Sequence, residues 1–368
     1  MDIIVAGDFC PRDRVTDLLD RGDYKSVFGE VKDIISNADY SIVNFECPIT
    51  IGGEKPIEKC GPNLQCSEKG VEAIKWAGFD CVTLANNHFL DYGKEGVGNT
   101  LEACNKYGVD YVGGGNNLQE TSRILYKEIE DKTLAIINCC EHEFSIATDK
   151  TAGSNPLNPI QQYYSIQQAK EKADYVLVIV HGGNEHYQLP SPQMQETYRF
   201  FVDAGADAVV NHHQHCYSGY EVYSGRPIFY GLGNFCFDWE GKRNSMWNEG
   251  YLIRLSFGDE FKFEIIPYRQ CDDTPGISLL AKDQYDKSIR KLNDIIINKQ
   301  HLVSSYNSFI DSSSNLCAEF SPYSNRILNA LCRHHLLPSF MNRNKRRLIL
   351  AYIQCESHLP KVIKYLKK

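Results

Sequence analysis

Short apolar runs recur along the first 270 residues of the chain and alternate with segments of helical periodicity. The runs are rich in Val and Ile, which is typical of strands. We predict strands at DIIVAG, YSIVNF, CVTLAN, TLAIINC, DYVLVIVHGG, DAVVNH and PIFYGLG. Helices are predicted over residues 67–77, 94–107 and 192–204. This alternation favours a layered α/β architecture.

The pattern changes after YLIRLSFGDEFKFEIIPYRQ, which predicts an edge hairpin that closes the sheet. From about residue 280 the apolar spacing is helical, with a Ser/Asn-rich break at SSYNSFIDSSSN. We therefore predict an α/β domain over residues 1–272 and a helical, basic C-terminal region over residues 273–368. Residues 322–368 have ten lysines and arginines against one acidic residue, so this tail carries about +9 and the remainder about −17.

Composition narrows the class of protein. A chain of 368 residues with 42% apolar content can bury a large core. The net charge of −8 argues against a nucleic-acid partner. The N-terminal apolar run is too short for a signal peptide or an anchor, and no other run is long enough to span a membrane. We therefore expect a cytoplasmic protein, in which many of the 14 cysteines are reduced thiols buried in strands.

Side chains that commonly bind metals lie just beyond several predicted strands, where α/β folds gather their chemistry. They are Asp8, Glu46, Asn87, His181 and His213. A strand-end Asp or Asn is often only a turn former or a helix cap. Five such strand ends together favour a shared site.

The segment VVNHHQHCYSG places three histidines after one strand. In an extended chain, side chains two positions apart point the same way, so His213 and His215 would converge on one ion while His212 points to the other side. The alternative is a pair of satisfied or exposed histidines in a polar loop. A further segment, VGGGNN, predicts a turn after a strand, with a phosphate cradle as the alternative.

Five ordered segments resemble those of a known family: GDF, NFECPIT, AGFDCVTLANNHFLDYG, HGGNEHYQLPSPQ and DAGADAVVNHHQHCYSGYEVYSGRPIFYGLGNFCFD. They are similar to the CapA family, the poly-γ-glutamate capsule biosynthesis proteins of the calcineurin-like metallophosphoesterase superfamily. The resemblance covers about residues 1–260. It implies a metallophosphatase-like β-sandwich flanked by helices, with the C-terminal helices as an appendage.

The resemblance also implies one or two divalent ions, with Mn, Zn, Fe or Mg as candidates. The implied ligands are Asp8, Glu46, Asn87, His181, His213 and His215, with Glu46 as the bridging carboxylate. The implied catalytic residues are His88 and its orienting carboxylate Asp91, and the implied substrate contacts are Glu185 and Asn86.

Two positions depart from the superfamily pattern. Cys10 stands where a metal-binding histidine is usual, and it is either a thiolate ligand or a buried inert thiol. Asn211 stands where a glycine is common before the histidine motif. A site with one fewer ligand would hold one ion tightly and a second ion weakly or not at all.

We therefore expect a metal-dependent hydrolase that acts on a γ-glutamyl polymer or another capsule or envelope intermediate. The alternatives are a general metallophosphoesterase and a noncatalytic capsule-polymer assembly factor. In each case the expected partner is an anionic polymer or a small anionic substrate. The basic tail would either pack on the acidic α/β domain or recruit that anionic partner.

Overall fold

The computed structural model of the protein describes residues 1–59, 61–258, 261–313 and 343–366. The strands are β1 (Asp2–Phe9), β2 (Tyr40–Phe45), β3 (Cys81–Thr83), β4 (Asp110–Val112), β5 (Gly114–Gly115), β6 (Leu125–Ile129), β7 (Lys132–Cys140), β8 (Gly153–Ser154), β9 (Tyr175–His181), β10 (Ala208–His212), β11 (Tyr220–Tyr223), β12 (Arg226–Phe229), β13 (Asn234–Cys236), β14 (Glu249–Ser256), β15 (Lys262–Gln270) and β16 (Ile277–Leu279). The helices are α1 (Arg14–Asp20), α2 (Tyr24–Phe28), α3 (Val31–Ser36), α4 (Lys69–Ala77), α5 (Gly93–Tyr107), α6 (Leu118–Thr121), α7 (Pro159–Lys170), α8 (Pro192–Asp203), α9 (Lys282–Ile297), α10 (Lys299–Ser313), α11 (Arg343–Gln354) and α12 (Leu359–Leu366). Part of the predicted basic tail, residues 322–342 and 367–368, lies outside the described residues.

The strands form two large sheets. One has the order β16-β15-β14-β1-β2-β3-β4, with β13 beside the end of β1, and the other has the order β11-β12-β10-β9-β7-β6. Strands β1 to β4 run parallel to one another, and so do β7, β9, β10 and β12. Because parallel strands share a direction, each set brings its C-terminal ends to one edge of its sheet.

Successive side chains of a strand point to opposite faces of its sheet, and this alternation accounts for the layers of the fold. In β1, Ile3 and Val5 join an apolar cluster that contains residues of both sheets. Ile4 and Ala6 point the other way, into a cluster shared with α1 to α5. A third cluster lies between the second sheet and helices α7 and α8. The order is helix, sheet, sheet, helix, and the predicted layered α/β sandwich is confirmed.

The predicted strands and helices are all present, but three strands end earlier than expected. The strand at CVTLAN ends at Thr83, that at DYVLVIVHGG ends at His181 and that at PIFYGLG ends at Phe229, because at each of these points the chain turns into a loop at the sheet edge. Helix α7 was not predicted, because its apolar residues do not share one face: Ile160 and Tyr164 are exposed while Ile166 is buried. The VGGGNN segment turns after β4, as predicted, with Gly113 at a φ of 87°.

The region after residue 250 departs from the prediction in one respect. Strands β14 and β15 form the predicted antiparallel hairpin, but β16 pairs with β15 beyond it, so the hairpin is not the sheet edge. Helices α9 to α12 agree with the predicted helical pattern. Helix α9 contacts the second sheet, where Tyr220 N donates to Asn293 Oδ1 at 2.7 Å. The domain boundary at residue 272 remains a prediction.

The described residues also bear on two expectations from composition. Eleven cysteines lie in the described ranges, all of them free and ten of them buried. This agrees with the expected thiols inside apolar strands. Across the same ranges, no helix combines the length and the apolar character that crossing a membrane requires.

We predict that Gly7→Ala destabilises the fold. Gly7 lies where β1 passes the chain before β13, and an added Cβ would overlap the carbonyl oxygen of Gly233. The free energy of unfolding should fall by about 2 kcal/mol or more, because the backbone cannot yield without separating the strands. Urea unfolding followed by circular dichroism measures the change.

Gly98→Ala in α5 is the matched control, since an added Cβ there meets no atom within 4 Å. It should be neutral or stabilise the protein by up to about 1 kcal/mol, because alanine favours the helix. Equal losses of stability in the two variants would contradict the close-approach argument.

Candidate metal centre

Six side chains from both sheets converge where the parallel strands end. They are Asp8 in β1, Glu46 after β2, Asn87 after β3, His181 at the end of β9, and His213 and His215 after β10. Each is at most 5% exposed. The structure thus brings together the whole set of ligands that the family resemblance implied.

Glu46, His181 and His213 form the first group of potential ligands. His181 Nε2 lies 3.4 Å from Glu46 Oε1 and 3.1 Å from His213 Nδ1. The amide oxygen Oδ1 of Asn87 lies 3.1 Å from the same His181 nitrogen. One nitrogen can donate a proton to only one of these atoms, so the remaining lone pairs face one another. A cation between them would relieve that repulsion.

Asp8, Glu46 and His215 form a second group. His215 Nε2 lies 3.7 Å from Glu46 Oε1, and its Nδ1 lies 3.7 Å from Asp8 Oδ2. In each group the potential ligand atoms lie within 4.8 Å of one another. Glu46 is the residue that these two groups share.

Glu46 provides the test of whether these residues fit a metal. Its side chain is fully buried, and across the described ranges neither carboxylate oxygen has a hydrogen-bond partner. Burial, followed by the nearby Asp8 carboxylate, raises the pKa of Glu46 well above its usual value. Burial and the neighbouring His213 hold the pKa of His181 well below its usual value. Neutral imidazoles around an unsatisfied carboxylate fit a divalent cation of the Mn, Fe or Zn type.

Two asparagines that sequence analysis did not single out hold the ligands in place. Asn44 Nδ2 donates to Asp8 Oδ1 at 2.7 Å, and Thr83 Oγ1 donates to Asn44 Oδ1 at 3.1 Å. Asn234 Oδ1 lies 2.9 Å from His215 Nδ1. Asn44 is a polar residue inside the buried run YSIVNF, and that signal could have identified it.

The histidine loop reaches the site by a different route from the predicted one. β10 ends at His212, and His213 and His215 have positive φ values of 91° and 53°. The extended alternation expected for these residues is therefore wrong, since a loop with left-handed backbone brings them together. The expected direction of His212 is confirmed, because its Nε2 lies 2.9 Å from Ala6 O and it belongs to no ligand group.

His88 lies in a chain of charged contacts beside the ligands. Its Nδ1 is 2.7 Å from Asp91 Oδ2 and 3.0 Å from Lys59 Nζ, and Lys59 also contacts Asp91. Leu64 N donates to the same Asp91 oxygen at 2.7 Å. Burial, and then the Lys59 ammonium, lowers the pKa of His88, while Asp91 opposes this effect. Sequence analysis missed Lys59, which lies in a loop with no motif to mark it.

Asn86 and Glu185, the two expected substrate contacts, lie in different surroundings. Both ends of the Asn86 amide bond to backbone: Nδ2 donates to Phe45 O at 2.9 Å, and Oδ1 accepts from His88 N at 3.1 Å. Asn86 thus shapes the loop that carries Asn87. Glu185 is half exposed and belongs to a third group with His213 and His215.

Cys10 and Asn211, the two residues that depart from the superfamily pattern, both lie inside the protein. Cys10 is buried in an apolar cluster and, among the described residues, belongs to no ligand group, which favours the inert thiol. Asn211 Nδ2 donates to Gly182 O at 2.8 Å and Tyr230 O at 3.1 Å. Asn211 therefore links neighbouring strand ends beneath the histidine loop.

Comparison with known proteins places this geometry among relatives. Capsule biosynthesis protein CapA of Bacillus anthracis is 35% identical over 246 residues, which cover 65% of this chain and 60% of the relative. PGA biosynthesis protein CapA of Bacillus subtilis (strain 168) is 33% identical over 255 residues, which cover 68% of this chain and 66% of the relative. The matches therefore span less than two thirds of each relative's own length.

A solved structure and a family model give the fold and the family. The crystal structure of a novel phosphatase from Mycoplasma pneumoniae superposes with a TM-score of 0.50 at 16% identity, covering 74% of this chain and 95% of that chain. The predicted metallophosphatase-like fold is thereby confirmed. The family model described as bacterial capsule synthesis protein PGA_cap matches residues 2–239. Since this match covers the strands and loops that carry all six converging side chains, the chain belongs to the PGA_cap family of bacterial capsule synthesis proteins.

Proposed function

We propose that the protein is a metal-dependent hydrolase that acts on a γ-glutamyl polymer or a related capsule intermediate. The observation that carries this proposal is the buried Glu46 carboxylate, which has no hydrogen-bond partner in the part of the chain that the structure describes and belongs to two groups of potential ligands. A purely structural carboxylate would be expected to have donors. The names of the two relatives, from capsule and PGA biosynthesis, support the substrate class.

The first ion would be held by Glu46, His181 and His213 with Asn87 beside them, and the second by Asp8, Glu46 and His215. When bound, divalent ions supply Lewis acidity that polarises a substrate oxygen and lowers the pKa of water. The chain itself orients these ligands through Asn44 and Asn234.

His88 is positioned to move a proton. Its Nδ1 faces Asp91, so its Nε2 is left for the substrate, and His88 lines the pocket beside Asn87. Asp91, held in turn by Lys59 and Leu64 N, fixes the orientation of the ring. We assign His88 the protonation of the leaving group: in the imidazolium form Nδ1–H donates to Asp91 and Nε2–H gives its proton to the leaving group, which leaves the ring neutral. Asp91 favours that charged form, against burial and Lys59.

A general phosphoesterase is the second candidate function, and the fold shared with a phosphatase favours it. Incubation of the metal-loaded protein with γ-linked oligoglutamate and, separately, with aryl phosphate esters distinguishes the two. Release of glutamate supports the proposal, and release of phosphate alone replaces it with the second candidate. Stoichiometric metal without turnover on either class would favour the assembly factor and contradict both hydrolase functions.

We predict that His181→Ala and His213→Ala each lower the metal content of the purified protein, because each removes a nitrogen from the first ligand group. His212→Ala is the matched control, since its ring faces Ala6 and belongs to no ligand group. Elemental analysis of protein purified without a histidine tag measures the ions per chain. Equal metal loss in all three variants, or none in any, would overturn the assignment.

We also predict that His88→Ala retains its metal and loses about 10²- to 10⁴-fold in turnover, because it removes the proton donor and none of the ligands. The same preparation should be measured for both metal content and initial rate. Unchanged turnover, or a rate that falls only in proportion to lost metal, would contradict the assigned role.

A further inference from the structure

A pocket of about 380 Å³ lies beside His88, and two different parts of the chain line it. The α/β part contributes Asn87, His88 and Glu185. The opposite wall comes from the C-terminal helices, with Tyr352 of α11 and Lys361 of α12. This volume lies within the range typical of small-ligand sites. The C-terminal wall lies outside residues 2–239, which the family model matches.

The turn between α11 and α12 is tied to the strand next to His181. Ser357 Oγ donates to Glu141 Oε2 at 2.5 Å, and Cys355 Sγ donates to the same oxygen at 3.4 Å. Glu141 follows β7, and its backbone N donates to His181 O at 3.0 Å. The wall is therefore anchored one hydrogen bond away from a potential metal ligand.

A second contact strengthens this anchor. His142 Nδ1 lies 2.6 Å from Glu356 Oε1, and His142 N donates to Glu356 Oε2 at 3.0 Å. Arg347 of α11 contacts Glu58 of the α/β part. For Arg347, this contact favours the packing role that sequence analysis considered for the basic tail.

Lys361 places a positive charge in the wall of the pocket. The residue is 7% exposed, and its ammonium lies 5.2 Å from the ring centroid of Phe309. An ammonium that is largely withdrawn from water and lines a pocket attracts an anion more strongly than one in open water does, because the local dielectric is lower. Of the acidic residues that line the pocket, Glu143 lies 3.8 Å from His358 Nδ1 and Glu185 lies among the potential metal ligands.

We propose that α11 and α12 form the substrate-binding wall of this pocket and that Lys361 binds an anionic group of the substrate, a carboxylate or a phosphate, beside the reacting atoms. The proposal rests on the hydrolase function and adds to it the charge of the substrate next to the reacting bond. A γ-linked glutamyl chain carries a free carboxylate at every residue, and a phosphorylated intermediate would offer the same charge.

Four variants of the full chain test the proposal. Lys361→Gln and Lys361→Met remove the charge, and the methionine keeps the apolar stem if glutamine impairs folding. Lys361→Arg keeps the charge. Lys364→Gln is the matched control, because Lys364 lies on the same helix, pairs with Asp311 at 2.8 Å and does not line the pocket.

Binding is measured by calorimetry with tri-γ-glutamate and, separately, with inorganic phosphate. We expect Lys361→Gln and Lys361→Met to weaken binding about 10- to 100-fold, as loss of a charge-assisted hydrogen bond implies. Lys361→Arg should stay within about threefold of the parent protein, and Lys364→Gln should not change. Weakening with tri-γ-glutamate alone identifies a carboxylate, weakening with phosphate alone identifies a phosphate, and weakening with both identifies a general anion subsite.

Unchanged binding in both neutral Lys361 variants, or equal weakening in Lys364→Gln, would overturn the proposal. Metal content should be the same in all four variants, because a protonated lysine ammonium has no lone pair to offer a metal ion. Lys361-dependent binding in a protein that hydrolyses neither substrate class would refute the hydrolase function and leave the anion subsite standing. Turnover that does not depend on Lys361 would support the hydrolase function and refute the anion subsite.

Discussion

The burial of the Glu46 carboxylate without a hydrogen-bond partner is the constraint on which the site depends. Removing a carboxylate from water costs several kcal/mol, and a protein compensates with donors, a proton or a cation. Within the described residues, neither oxygen of Glu46 has a donor. A proton would satisfy the carboxylate alone and leave the lone pairs of His181, His213 and Asn87 facing one another. A cation would satisfy all of them together, and this is the physical argument behind the proposed metal-dependent function.

Backbone strain is found at the same place. His213 and His215 both have positive φ values, and a non-glycine residue in such a conformation costs of order 1–3 kcal/mol. The surrounding bonds hold them there: His213 N donates to Asp8 Oδ2 at 3.2 Å, and Asn234 lies 2.9 Å from the His215 ring. Helix α8 also supports the start of the loop, since Tyr198 OH donates to Asn211 Oδ1 at 2.6 Å. These contacts hold the side chains of His213 and His215 in fixed positions.

Sequence patterns predicted the parts of the structure that local physics determines. Buried strands such as β1 and β9 leave a clear apolar signal, and a polar residue at the end of such a strand marks the edge where chemistry gathers. The path of the histidine loop could not be predicted in this way, because positive φ at His213 and His215 depends on contacts with distant residues. Lys59 was missed for the same reason, since nothing in its own loop indicates that it meets Asp91 and His88. The C-terminal helices were predicted, but their contact with the pocket depends on packing between residues more than 200 positions apart in the chain.

Glu141 connects the potential metal site to the C-terminal helices that line the opposite side of the pocket. Glu141 bonds through its backbone to the strand end of His181 and through its side chain to Ser357, so one residue fixes both the potential metal site and the opposite wall. Burial raises the pKa of Glu141 to about 7, while hydrogen bonds from Ser357 and Cys355 oppose this effect. The potential ligands thus come from the two sheets, within the family match, whereas the opposite wall of the pocket comes from helices outside that match. Under the proposed function, the sheets would set the reaction and the helices would set the charge of the substrate that is bound.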